Sequence, residues 1–212
     1  RSISGDARKM ERDISRNADA VGAKFRALAG AAAAAFSVAE VAKLADGYTR
    51  FTNQLKVAGE AGDGLIRTQE RLFETAQKYG VELESLGTLY SRGAQVSKEL
   101  GASQEDLLKF TNGVAAALKV QGGSAASAQG ALLQLSQALG SGTVRAEEFN
   151  SINEGALPIL KAVAQNLDGA GGSVARLKVL VNDGKVSSDA FFRAFLAGSA
   201  ELEAQAAKTT LT

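Results

Sequence analysis

Gly142-Thr143-Val144-Arg145-Ala146-Glu147-Glu148-Phe149 and, 42 residues further on, Gly184-Lys185-Val186-Ser187-Ser188-Asp189-Ala190-Phe191 share one pattern: glycine, any residue, valine, then a small residue, an acid and a phenylalanine at fixed places. A glycine that follows a helical stretch takes the left-handed conformation that closes a helix without steric cost. In the second copy Ser187 fits the N-cap of a new helix. Val186 and Phe191 then flank its first turn as a hydrophobic staple. Val144 and Phe149 stand in the same relation, with Arg145 a poor cap. Ala102 and Leu107 repeat it around Ser103, with Asp106 three residues after the cap. Gly80-Val81 and Gly101-Ala102 supply further joints. Joints this short pack successive helices at steep angles, which predicts an all-α fold: a compact multi-helix domain of short helices. The two matching joints read as a duplicated helical hairpin, and two copies are too few for a solenoid.

Outward from the joints, helical spacing predicts helices over 46–58, 64–79, 82–100, 103–121, 124–140, 145–153, 157–167, 173–182 and 187–198, then a tail to 212. Leu65, Leu72, Phe73, Ala76 and Tyr79 form one apolar face. Leu83, Leu86, Leu89, Tyr90, Val96 and Leu100 form a second, and Leu107, Leu108, Val114, Ala115 and Leu118 a third. No stretch reads as a strand. Gly122-Gly123-Ser124 and Asp168-Gly169-Ala170-Gly171-Gly172-Ser173 read as flexible loops. The second is no nucleotide loop, because it lacks a preceding strand and a Gly-Lys-Ser/Thr.

Residues 1–45 read as a separate segment, a long Ala-rich helix preceding the domain of 46–212. Ile3, Ala7, Met10, Ile14, Val21 and Leu28 make a thin, partly heptad stripe, interrupted at Asn17 and Lys24. So narrow a stripe packs on a partner copy or stays loosely attached, and we expect a homo-oligomer through it. Arg8, Lys9, Arg12 and Arg16 interleave with Glu11 and Asp13, which reads as a solvated face and not as a phosphate footprint. Leu28 to Ala45 approaches the length of a membrane span. Glu40 and Lys43 lie inside it, at a cost of about 2.5–3.5 kcal/mol each near a span centre, so no membrane span is expected. A membrane-active helical protein acting through 28–45 is the weakest of the functional alternatives. The chain starts at Arg1 with no initiator Met and no visible signal peptide, and reads as a piece of something longer.

The 212 residues hold 24 Lys+Arg, 23 Asp+Glu, 40 Ala, one Pro, and no Cys, His or Trp. Lacking His and Cys, the chain has no zinc site of the usual kind, no haem histidine, no thiol nucleophile, no Ser-His-Asp triad and no disulfide. A net charge of +1 exerts no global pull on nucleic acid, so no sequence-specific nucleic acid binding is expected. No cofactor or metal is expected.

Ala131-Leu132-Leu133-Gln134-Leu135-Ser136-Gln137-Ala138-Leu139-Gly140, running into Ser141-Gly142-Thr143-Val144-Arg145-Ala146-Glu147-Glu148-Phe149-Asn150, resembles the signature of the N-terminal conserved domain of phage tail tape measure proteins. Pro158 to Ala164, Leu177, Asp183-Gly184-Lys185-Val186, and Phe73 to Leu100 with Tyr79-Gly80-Val81 are similar to the same family. The resemblance covers about residues 45–200, and the helix of 1–45 is also like what precedes this domain in such proteins. It implies a structural role in a phage or prophage. Such chains lie in the lumen of the tail tube, set tail length by their own length, and leave the tube during DNA ejection. The implied partners are tail tube and tail-tip proteins and tail assembly chaperones. The implied location is the virion, in the tail tube lumen or at the tip, after assembly in the host cytoplasm. The family supplies no catalytic residue, and the very long coiled coil of its full-length members is not in this sequence.

Two clusters invite other readings. Glu147, Glu148 and Glu154 suggest the carboxylate pair of a peptidoglycan-degrading (lytic) enzyme, with Glu147 and Glu154 on one helix face. Acids at a helix N-terminus are stabilised there without any catalysis, so no catalytic residue is assigned. Phe191, Phe192 and Phe195 suggest a partner patch, but at least two of them read as core, as do Tyr48, Phe51 and Leu55.

Overall fold

The computed structural model describes residues 38–209, with side chains from Asp46 onward. Among the described residues ten helices follow one another: α1 (Val38–Val57), α2 (Gly62–Tyr79), α3 (Leu83–Gln95), α4 (Ser97–Leu100), α5 (Gln104–Gln121), α6 (Ala125–Gly140), α7 (Ala146–Gly155), α8 (Leu157–Asn166), α9 (Val174–Asn182) and α10 (Ser188–Lys208). The described residues contain no strand beyond one isolated antiparallel bridge, Thr143 to Ser187. The all-α expectation holds. The Ala-rich run 31–35 and the basic stripe of 1–28 lie outside the described residues. Most of the segment expected over 1–45 lies outside the described residues. The chain groups into a unit ending at Arg71 and a unit starting at Leu72.

In the first unit Phe51 and Leu55 of α1 are buried, and Tyr48 is half-buried. Thr68 and Gln69 on α2 are also buried, and the Gln69 side-chain amide donates to Thr52 Oγ1 at 2.9 Å. In the second unit α5 is the central element. From Leu107 to Leu118 ten of its twelve residues are buried, which places this helix in the middle of the core. It packs against α10, α3 and α8, while α6 packs against α3 and α7. Phe110 stacks on Phe192 with centroids 4.7 Å apart and meets Phe195 edge-on at 5.0 Å. All three of Phe191, Phe192 and Phe195 are core. The buried hydroxyls of Thr111 and Ser136 donate to the carbonyls of Leu107 and Leu132 in their own helices, so they enter the core satisfied.

Four differences from the sequence reading have physical causes. The helix expected over 82–100 breaks at Val96, whose N–H turns back to the Gly93 carbonyl at 3.2 Å, and a single turn, α4, follows. The helix expected to end at 198 runs to Lys208, because Leu202 and Ala206 remain buried along its extension. The predicted face of α2 is half right: Leu72 and Tyr79 are buried, Leu65, Phe73 and Ala76 only half so, and Thr75 is buried through its bond to Asn112 Oδ1 at 3.2 Å. The loop at 168–173 is tied down, not flexible: Ala170 is fully buried and Gly172 N–H donates to the Ala164 carbonyl at 2.8 Å.

Glycine closes each of the four joints as expected, with φ between 62° and 78° at Gly80, Gly101, Gly142 and Gly184. Gly142 isolates the backbone effect, because a Cβ there meets nothing within 4 Å. Gly142→Val is therefore expected to cost about 1–2 kcal/mol through backbone strain alone, read as a lowered denaturation midpoint at unchanged m-value. An unchanged midpoint contradicts the assignment.

Candidate functional site

The two joints that match in sequence also meet in space. Val144 N–H donates to the Val186 carbonyl at 2.9 Å, and Ser188 N–H donates to the Gly142 carbonyl at 3.0 Å. Ser141 Oγ donates to the Thr143 carbonyl at 2.8 Å, and Ser188 Oγ donates to the Ala138 carbonyl at the end of α6. Val144, Val186, Phe149 and Phe191 are all buried around this clasp. Each extended piece between helices would otherwise present unpaired backbone groups to the core, and the pairing satisfies them. Ser187 caps α10 by accepting from Ala190 N–H. Arg145 has no acceptor to offer α7. There the cap works from the other side, with Glu148 Oε2 accepting from Arg145 N–H at 2.9 Å. Glu148 is consequently buried, a structural acid at a helix start.

A cavity of about 300 Å³ opens where α2 and α5 end and α6 begins. Tyr79, Gly80 and Val81 form one wall, Leu118, Lys119 and Gly122 another, and Ser124, Gln129 and Thr209 close it. Glu82 accepts from Gln129 Nε2 and from Ser85 Oγ, both at 2.6 Å. The Lys78 ammonium stands 4.8 Å from the centroid of the Tyr79 ring. That tyrosine and, more weakly, Glu203 of α10 raise the Lys78 pKa above the ordinary lysine value. Tyr79-Gly80-Val81, Leu118 and Gly122-Gly123-Ser124 stand out in the sequence as a joint, part of a helix face and a loop, but nothing there brings them around one cavity.

Glu147 and Glu154 are exposed and line neither this cavity nor the shallower groove between α8 and α10. Among the described residues no group of acids is placed to hold a metal ion, and no helix is long and apolar enough to cross a membrane.

The capping box at Ser103 gives the clearest electrostatic signal. Asp106 accepts from Ser103 Oγ at 2.6 Å and from Ser103 N–H at 3.0 Å, while Ser103 Oγ accepts from Asp106 N–H at 3.2 Å. These bonds hold the Asp106 pKa below the usual carboxylate value, the Ser103 side chain contributing most. A pKa lowered by folding stabilises the native state above the unfolded value of about 3.9 and loses that effect as pH falls through the folded value. Asp106→Ala is expected to lower stability by about 0.5 kcal/mol at pH 7, and the difference between thermal melts of the two proteins should shrink as the solution is acidified through the folded pKa of Asp106.

Helices, caps and close packing define an all-α domain among the described residues. Comparison with known families supplies its class. The family described as Tape measure protein matches residues 39–212, so the chain belongs to the tape measure protein family, a structural component of phage tails and not an enzyme family. No curated protein and no solved structure matches the chain.

Proposed function

We propose that this chain is a segment of a tail tape measure protein that serves as a passive scaffold for tail tube assembly, helps to set tail length and takes part in DNA ejection. The observation that carries the reading is the family match across 39–212, over an all-α domain in which Glu148 and Asp106 serve as helix caps. In this reading residues 1–45 are a helical arm that joins copies into a small homo-oligomer. Residues 46–212 are the tape-measure domain, working within the virion, in the tail tube lumen or at the tip. Tail tube and tail-tip proteins and tail assembly chaperones are its partners.

In-frame deletion of the segment encoding 46–212 from the parent gene tests the role. Electron micrographs should show tails absent or of undefined length, and tails of normal, uniform length refute it. Analytical ultracentrifugation of 1–212 against 38–212, which starts where α1 starts, tests the arm. A monomer in both cases refutes the homo-oligomer.

A further inference from the structure

Within the second unit the chain leaves α2 and returns from α10 at one place. Tyr79, the last residue of α2, and Thr209, the first residue after α10, line the same cavity of about 300 Å³. Glu203, in the last turns of α10, acts on Lys78, in the last turn of α2. Both ends of the intervening chain are thus within roughly 20 Å of each other, whereas a straight helix of the 129 residues between them would span about 190 Å. Those residues are folded back on themselves by contacts that leave no slack. α5 is buried nearly all round, a Cβ on Gly113 would lie 2.8 Å from that of Ser199, and the clasp joins residues 142–144 to 186–188 by backbone bonds.

We propose that Gly80 to Lys208 form a closed side lobe that tail length does not count: the parent chain advances past it as though Tyr79 were followed directly by Thr209. The inference rests on the length-setting reading above. It deepens that reading by separating the residues that measure from those that do not. Length would then follow the residues outside the lobe, and the lobe would serve as a fixed body on the ruler.

Two insertions after Thr209 in the parent gene test this. One adds a second copy of residues 80–208, and the other adds a straight heptad-repeat helix of the same 129 residues. Tail lengths are then measured in electron micrographs. The straight helix should lengthen the tail by about 190 Å, and the second lobe by less than roughly 20 Å. Lengthening by the straight-helix amount in both cases overturns the proposal. Loss of tails with the second lobe alone also overturns it, because a body the count ignores must be tolerated twice. No lengthening with the straight helix refutes the length-setting reading itself, and the proposal falls with it. The chain has no cysteine, so spin labels on Lys78→Cys and Thr209→Cys in the 212-residue chain report the separation directly. A short distance, below roughly 25 Å, supports the lobe, and a separation approaching that of a straight helix overturns it.

Discussion

Gly113→Val is expected to lower the melting temperature by roughly 6–12 °C, corresponding to about 3 kcal/mol or more in a domain of this size. Gly113 lies in the middle of α5, where it faces α10. A Cβ at this position would sit 2.8 Å from Ser199 Cβ and 3.1 Å from Phe195 Cε1. Neither neighbour yields easily. The Ser199 Cβ is fixed to its backbone, and the Phe195 ring is wedged edge-on against Phe110. Valine adds two further methyl groups to that clash, so α5 and α10 must separate along their shared face. Gly130 on α6 provides the contrast, being exposed, with open space for 4 Å around the place a methyl group would take. Gly130→Ala should raise stability by about 0.5–1 kcal/mol through helix propensity. A Gly113→Val protein that melts with the wild type would mean that α5 and α10 do not approach as described.

Phe110→Ala is expected to cost about 3–5 kcal/mol, measured as the loss of unfolding free energy in urea. Phe110 is almost wholly buried and holds two rings of α10 at once, Phe192 stacked at 4.7 Å and Phe195 edge-on at 5.0 Å. Its removal leaves a cavity that rigid neighbours on α5 and α10 cannot fill, and it also removes the ring-to-ring geometry that adds to simple burial. The same truncation at Leu133, an exposed residue of α6, should change stability by no more than about 0.5 kcal/mol. A small effect at Phe110 would show that the aromatic cluster is not central to the core.

Much of this architecture is legible in the residues, and the reason is local. A glycine at a helix end and an apolar pair around the first turn, joined by a serine cap at 187, act within eight residues, and at 142–149 and 184–191 they place the helix starts to within a residue. The limits of that reading are equally specific. No glycine or proline stands next to Val96 to mark it as a break. Nothing local extends α10 past 198 either, because its last turns are kept by burial of Leu202 and Ala206 against distant chain. Gly113 and Gly198 pass in a sequence for ordinary helix-weakening residues. Only the crossing of helices shows why they carry no side chain: a Cβ on Gly198 would lie 2.8 Å from Asn166 Nδ2 and 3.0 Å from Ala162 Cβ. The likeness of the two glycine joints is visible from their residues, but their mutual pairing is not, since backbone bonds between 144 and 186 leave no trace in side-chain pattern. The cavity at α5 and α6 is equally silent, and the acids that do draw notice, Glu147 and Glu154, stand apart in solvent.

The aromatic stack between α5 and α10 has a consequence for synthesis. Phe110 leaves the ribosome about 80 residues before Phe192, and at 5–20 residues per second that is an interval of roughly 4–16 s. Throughout it the nascent chain carries α5, buried nearly all round in the finished fold, without the cover that α10 later provides. A holding factor that grips exposed leucine and phenylalanine on a half-made polypeptide would find its opportunity in that interval, and would be displaced when the last helix arrives.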